Sequence, residues 1–402
     1  MTHESDGVSA TAASTGTWSV SAVTAGLLAV VISYAGPLAI FFQAAHAAQV
    51  GNDVVASWVW AISIGAGVSG LALSVWLKQP IITAWSAPGT ALLTSLFPRM
   101  PVSDAIGAYI VAGAFILVLG LSGWFDQIVK RIPRGIACGM MAGILFQFGT
   151  NVFKSLAIAP SLALGMLASY LVFRRWAPRY CLILVLACGA ALAMVLGLTH
   201  LGSTSVHVTT PVFTMPTWSW QSVVSLAVPL VIVSLTGQFL PGFAILRTSG
   251  YQTPSRPVLI ATSVASIAVA FAGGITIVIA AITAALCTGP DAHKDLHRRY
   301  IAGVSNGICY LVFGIFAGTV VMIFAALPPT FVAVLAGLAL LGAIATNIVG
   351  IVHDEAHREA AFITFIATAS NMTFLGLGSA FWGIVFGTLA HLVFRVPASR
   401  RQ

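Results

Sequence analysis

IITAWSAPGTALLTS, residues 81–95, returns in altered form 194 positions later (275 − 81) as ITIVIAAITAALCTG, residues 275–289. In both copies a short β-branched run, typical of a strand, leads into an Ala-rich run, typical of a helix. Neither copy can cross a bilayer as one regular helix, which needs about 20 residues. Paired interrupted segments in two hydrophobic halves are typical of inverted-repeat transporters. We expect the substrate to bind between them, because irregular backbone is tolerated in a membrane only where protein or a cavity covers it.

The composition places the chain in a membrane. Of its 402 residues, 58% are hydrophobic and 7% are charged, whereas a soluble domain carries roughly 25% charged residues. The mean hydropathy is +0.99, and apolar stretches of about 18 or more residues recur from Val20 to Phe394. Residues 1–17 are polar and lack a basic start, which predicts a disordered cytosolic tail rather than a signal peptide. The chain is therefore predicted to be an all-α polytopic membrane protein.

The hydropathy pattern predicts about fourteen transmembrane segments in two halves of seven. The first repeat covers residues 18–199 and the second residues 219–396, with an external loop at 200–218. An odd number of segments per half gives the two halves opposite orientations, which makes the repeat inverted. Segments 3 and 10 are each predicted to be a short extended strand followed by a half-helix. The predicted spans are 18–45, 54–77, 81–97, 103–122, 124–150, 152–173, 180–199, 219–246, 256–272, 274–288, 297–317, 319–351, 359–373 and 375–395.

The basic residues support this count. If both termini are cytoplasmic, all 18 Lys and Arg residues fall on the inner side except Arg99 and Lys154, as the positive-inside rule requires. The net charge of +8 therefore reflects membrane topology and not nucleic-acid binding. The five cysteines lie in apolar segments without metal-ligand spacing, so we expect neither a metal nor a cofactor.

The starts of the two half-helices predict an anion site. Ile81 to Trp85 would be extended, Ser86 would be the N-cap, and Ala87 would open the helix in segment 3, while segment 10 would open near Ala281. The first backbone N–H groups of a helix have no internal partner, and the helix start carries about half a positive charge. A carboxylate can bind there without a buried Arg or Lys.

Several side chains are predicted to complete this site. Trp85 would form a flat wall for an aromatic ring, and Gln43 and Gln238 are buried amides that need partners. For each residue the alternative is ordinary packing in a membrane helix. His46 is the candidate for proton coupling, since segments 8 and 10 hold no acid. The candidate substrate-binding residues are Tyr34, Gln43, Thr83, Trp85, Ser86, Ala87, Gly89, Gln238, Phe239, Thr276, Ala281 and Thr283.

Three motifs carry a resemblance to a known family: QPIITAWSAPGTALL (79–93), GPLAIFFQAA (36–45) and TGQFLPGFAILR (236–247). With them the chain resembles the benzoate membrane transport family of benzoate/proton symporters, within the uracil-permease-like fold group. The resemblance covers the chain beyond its tail. It implies seven plus seven inverted segments, a core domain from segments 1–4 and 8–11, and a gate domain from segments 5–7 and 12–14. It also implies a homodimer with alternating access. That group often has a glutamate in segment 8 or 10, where this chain has none.

We therefore expect a carrier of the bacterial inner membrane that imports an aromatic carboxylate, benzoate, together with protons. The alternatives are an anion channel or exchanger, or a carrier of another small organic anion or a nucleobase-like substrate. A membrane enzyme would need convergent acids, a metal set or an activated nucleophile, which the sequence does not offer. The histidines at 293 and 297 and at 353 and 357 match no zinc pattern and are expected in solvated loops.

Overall fold

A computed structural model describes residues 19–97, 99–199, 206 and 208–394. The predicted tail at 1–17 and part of the predicted external loop lie outside these residues. The first half contains α1 (Val20–Ala35), α2 (Pro37–Ala48), α3 (Asn52–Leu77), β1 (Thr83–Trp85), α4 (Ala87–Leu96), α5 (Val102–Ser122), α6 (Phe125–Arg131), α7 (Arg134–Ile158), α8 (Pro160–Trp176) and α9 (Cys181–Val195).

The second half repeats this order. It begins with α10 (Trp220–Ser222), α11 (Val228–Ser234) and α12 (Leu240–Thr248). Two short π-helical turns, at Val223–Ala227 and Leu235–Phe239, join these three helices into one span. It continues with α13 (Ser255–Ala270), β2 (Ile277–Ile279), α14 (Ala281–Thr288), a 3-10 turn (Leu296–Arg298), α15 (Tyr300–Ile315), α16 (Ala317–Ala325), α17 (Pro329–His353), α18 (Arg358–Ala369), β3 (Thr373–Phe374), β4 (Leu377–Gly378) and α19 (Ser379–Phe394).

The two interrupted segments meet at the centre of the molecule. β1 and β2 pair antiparallel, with Ala84 opposite Val278. Each strand start and each helix start is offset by 194 residues (277 − 83 and 281 − 87), which is the offset of the sequence repeat. The ladder extends beyond the strands, since Ser86 N donates to Thr276 O at 3.0 Å and Ala280 N donates to Ile82 O at 2.9 Å. The prediction of a strand followed by a half-helix in segments 3 and 10 is confirmed.

Serines from the preceding helices hold the start of each strand. Ser74 Oγ on α3 donates to Ile81 O at 3.1 Å and accepts from Ile81 N at 3.2 Å. On α13, Ser266 Oγ accepts from Ile277 N at 2.8 Å. Buried backbone groups outside a helix need such partners, and these bonds let extended backbone lie inside an apolar protein.

Not every described helix is long enough to cross a bilayer. Six spans are long and apolar enough by themselves, and α15 with α16, bent by 69°, would make a seventh. The other described helices are shorter, so the count of about fourteen segments stays a prediction. The six spans are Val20–Ala48, Asn52–Leu77, Val102–Ser122, Arg134–Ile158, Trp220–Thr248 and Pro329–His353.

Two predicted boundaries are wrong. Segment 5 was expected to end at residue 150, but α7 continues to Ile158, so α8 starts at residue 160 and not at 152. Asn151, between the two predicted segments, lies within α7 and lines a cavity. The predicted segment at 319–351 is divided into α16 and α17, and Pro329 begins the second helix, where proline is favoured.

Small residues allow close helix contacts away from the ladder. A Cβ on Gly139 of α7 would lie 2.3 Å from Ala361 O on α18, and a Cβ on Gly337 of α17 would lie 2.3 Å from Phe148 O on α7. Such glycines are the usual means by which membrane helices pack closely. They join α7, α17 and α18 into one packed unit.

Asp354 ties the end of α17 to the start of α7. Its Oδ2 accepts from Gly135 N at 2.7 Å, and its Oδ1 lies 2.7 Å from His357 Nδ1. Burial alone raises the pKa of this carboxyl, but the hydrogen bonds from His357 and Gly135 outweigh burial and hold the pKa below its usual value.

The described residues contain no group of three His, Cys, Asp or Glu side chains that could hold a metal ion.

We expect Asp354→Ala to destabilise the protein by about 1 to 2 kcal/mol, because the Gly135 amide loses a charged acceptor. The contribution of a carboxyl with a lowered pKa is complete above its unfolded pKa and is lost as the pH falls through the folded value. Thermal unfolding in detergent should therefore show the full difference at neutral pH and a smaller one below about pH 4. A difference that grows on acidification would contradict this assignment.

Candidate functional site

Within residues 81–93 and 272–281, the partly exposed residues lie at the helix starts. Residues 81–86 and 88–93 are buried and Ala87 is partly exposed; residues 272–279 are buried and Ala280 and Ala281 are partly exposed. Accessible surface therefore remains at both helix starts, where the predicted anion site lies, while the strands are enclosed.

The two tips differ in their capping. Ser86 Oγ accepts from Gly89 N at 3.1 Å, and Pro88 occupies the first turn of α4. Ala280, at the same place before α14, has nearly the same backbone angles (φ −83°, ψ 100°, against φ −75°, ψ 98° for Ser86), but no described side chain caps that helix. The predicted N-cap role of Ser86 is therefore seen in the structure, and the second tip lacks its equivalent.

An aromatic cluster surrounds Trp85. The Trp85 ring centroid lies 5.9 Å from that of Tyr34 and 6.1 Å from that of Tyr310, and Tyr34 also contacts Phe313 at 5.0 Å. Tyr34 and Trp85 are thus brought together as candidates. Tyr310 and Phe313, both on α15, were missed by sequence reasoning because no local motif links segment 11 to the ladder.

Several buried polar atoms near the ladder and the half-helices have no hydrogen-bond partner among the described residues. They include Trp85 Nε1, Thr276 Oγ1 and Thr283 Oγ1. Thr276 is 1% exposed and Thr283 is 6% exposed. An unpartnered buried polar group costs about 1 to 3 kcal/mol, and most such groups in native proteins are paired. Unpaired groups beside exposed helix tips indicate a place that a polar ligand completes.

Three of the candidate residues make contacts within the protein. Thr83 Oγ1 donates to Ala66 O at 2.7 Å, so its hydrogen bond joins the strand to α3. Phe239 is fully buried, and its ring centroid lies 6.4 Å from that of Phe243. It belongs to a hydrophobic cluster separate from that of Trp85. Gly89 packs closely against Leu230, because a Cβ on residue 89 would lie 2.5 Å from Leu230 Cδ1.

The remaining polar candidates lie outside the ladder and the two half-helices. His46 is exposed in the last turn of α2, and Gln238 is partly buried in the second π-turn. Gln43 lines a cavity of about 200 Å³ between α2 and α4 on one side and α7, α18 and α19 on the other, and its Nε2 has no partner among the described residues. Sequence reasoning did not find the other amides of this cavity, which come from distant segments. They are Gln147, Asn151 and Asn371.

Comparison with known proteins gives a consistent family. The family model described as benzoate membrane transport protein matches residues 16–393. The benzoate membrane transport protein of Acinetobacter baylyi (strain ADP1) is 53% identical over 380 residues, which cover 94% of this chain and 96% of that protein. The inner membrane protein YdcO of Escherichia coli K12 is 36% identical over 378 residues, 94% of this chain and 97% of that one.

Solved structures share the fold at low identity. The transmembrane domain of a cyanobacterial bicarbonate transporter, BicA, superposes with a TM-score of 0.58 and 16% identity, over 93% of this chain and 96% of that one. The structure of SLC26A9 gives a TM-score of 0.65 and 12% identity, over 94% of this chain and 66% of that one. These likenesses show a transporter-type membrane fold.

Proposed function

The chain belongs to the benzoate membrane transport family, and from this premise we propose that it is a proton-coupled importer of benzoate in the bacterial inner membrane. The family consists of membrane transporters and not enzymes. The proposal adds the direction of transport, the coupling to protons, and a site between the half-helices. It also includes cytoplasmic termini, as the distribution of basic residues favours, and a homodimer, as the family resemblance implies.

The observation that carries the proposal is the pair of helix tips at the ends of one buried ladder. Oriented backbone amides at a helix start bind a carboxylate without a buried cation. Trp85 and its aromatic neighbours offer ring faces and edges beside the ladder, which suits an aromatic acid. An ion with a charged end and an apolar ring therefore matches both kinds of surface in this region.

The core and gate division supports alternating access. On one side of the amide-lined cavity lie α2 and α4, which belong to the proposed core. On the other side lie α7, α18 and α19, which belong to the proposed gate. The two parts touch at Gly237, where a Cβ would lie 2.8 Å from Met141 Cε of α7. A flexible methionine against a glycine is a contact that can slide or open. In the proposed cycle, movement at this boundary exposes the helix tips to one side and then to the other.

Proton coupling in the proposed cycle proceeds without an acidic side chain beside the helix tips. No Asp or Glu lies in the ladder, in the two half-helices or in the span Trp220–Thr248, and His46 is exposed at the end of α2. The proton would move through His46, through water, or with the substrate as the protonated acid. The proposal therefore names no carboxylate as the proton carrier, and the uptake experiment tests whether transport is coupled to protons.

The test is uptake of radiolabelled benzoate by proteoliposomes of the purified protein, at a pH well above the pKa of the benzoate carboxyl group. We expect saturable uptake that a proton gradient drives and a protonophore abolishes, and protein-free liposomes correct for diffusion of benzoic acid. Uptake that never saturates would indicate a channel. Uptake that depends on an internal anion would indicate an exchanger, and competition by uracil would indicate a nucleobase-type site.

A further inference from the structure

The two half-helices offer unequal numbers of free amides. The first three N–H groups of a helix after its N-cap have no acceptor within the helix. In α4, Pro88 has no N–H and the N–H of Gly89 is bound by Ser86 Oγ, so only Ala87 keeps a free donor. In α14 all three first-turn amides, from Ala281 to Thr283, are free of a side-chain cap among the described residues.

Of the two unpartnered threonine hydroxyls, that of Thr283 lies in the first turn of α14 with the free amides, and that of Thr276 lies opposite Ser86. Thr283 is the third residue of α14, and a Cα–Cβ bond in a helix tilts towards the N-terminus, which brings its buried, unpaired Oγ1 towards the tip. On the α4 side, Trp85 precedes the cap and contacts Tyr34 and Tyr310. The α14 tip therefore has more free backbone amides, and the α4 tip lies next to aromatic rings.

A single carboxylate cannot contact both tips. Ser86 lies opposite Thr276 in the ladder, four residues from Ala280, so the two N-caps are about 13 Å apart along the strands. This separation is much longer than a carboxylate group. The substrate must bind with its charged end at one tip.

We propose that the carboxylate binds at the start of α14, held by the amides of Ala281 to Thr283 and by Thr283 Oγ1, with the aromatic ring directed towards Trp85. This inference rests on the proposed function, since it takes an aromatic carboxylate as the substrate. Ala280 is then a specificity-determining position, because an alanine leaves the tip without an internal acceptor and so keeps its amides available for the ligand.

Ala280→Ser is the direct test. The backbone of Ala280 already has the angles of Ser86, so a serine there can accept from the Thr283 amide as Ser86 does from Gly89. We expect the Kd for benzoate, measured by calorimetry on the purified full-length protein, to rise about 10-fold. The melting temperature of the ligand-free protein should rise, since an N-cap stabilises a helix. General damage would lower stability and affinity together.

Ala280→Cys is the matched control, because sulfur fills the same position but is a weak acceptor. Its Kd should rise several-fold less than that of Ala280→Ser. Thr283→Val, which keeps the shape and removes the hydroxyl, should also raise the Kd about 10-fold and lower the preference for benzoate over benzamide. Ser86→Ala should change the Kd less than either.

The results separate the inference from the proposed function. A large loss of affinity in Ser86→Ala with no change in Ala280→Ser would place the carboxylate at α4 and overturn the inference. Equal losses in Ala280→Ser and Ala280→Cys would show that the effect is steric, which also overturns it. In both cases the wild type still binds benzoate. If the wild type itself shows no benzoate binding or uptake, the proposed function fails.

Discussion

Trp85→Ala is expected to raise the Kd for benzoate by roughly 100-fold. An aromatic contact and the apolar surface it buries contribute about 3 kcal/mol together, and each 1.4 kcal/mol changes a binding constant about tenfold. Trp85 also has an unpartnered Nε1, which the variant removes. Calorimetry with the purified protein measures the affinity, and radiolabelled uptake shows whether transport falls in parallel.

This variant needs a control for folding, because Trp85 is 3% exposed and packs on two tyrosines. Deleting a buried tryptophan costs about 3 to 5 kcal/mol of stability. Trp85→Phe keeps a ring in the cluster and loses only the indole N–H and part of the volume, so it should express well and bind with intermediate affinity. Wild-type affinity in a folded Trp85→Ala protein would place the ring site elsewhere.

Ser86→Leu is expected to abolish benzoate uptake, lowering it at least 100-fold. Ser86 is fully buried at the start of α4, and its Oγ accepts from Gly89 N. Leucine removes this cap at a cost of about 1 kcal/mol. It also adds volume to a crowded place, because Leu230 already leaves no room for a Cβ on Gly89. Overpacking adds about 1 to 3 kcal/mol, and the displaced helix start would also move the adjacent Trp85 away from the substrate ring.

The matched variant for this prediction is Ser86→Ala, which loses the cap without adding volume. Uptake in proteoliposomes and the melting temperature should be measured for both variants, at equal amounts of reconstituted protein. The leucine variant should lose much more uptake than the alanine variant. If a folded Ser86→Leu protein transports at the wild-type rate, the space at the start of α4 is not part of the substrate path.

The candidate site was found in part from sequence, and the reason is visible in individual residues. Trp85, Ser86 and Ala281 were found because they lie on or next to a local signal, a β-branched run before a helix. Tyr310 was missed because its contact with Trp85 joins segments more than 200 residues apart (310 − 85), and Phe313 was missed because it reaches the cluster through Tyr34, which is equally distant in the chain. Gln147 and Asn151 were missed as cavity residues because the other side chains of that cavity come from segments distant in the chain.

Local chemistry was sufficient for the membrane class, the two broken segments, their offset of 194 residues and the family. Hydropathy, strand and helix preference and capping act between near neighbours, so a linear pattern records them. The pairing of Ala84 with Val278, the aromatic neighbours of Trp85 and the unpaired hydroxyls of Thr276 and Thr283 come from the folded chain. Such contacts depend on which helices pack side by side, and that is set by the sum of many weak packing energies and not by any one stretch of residues.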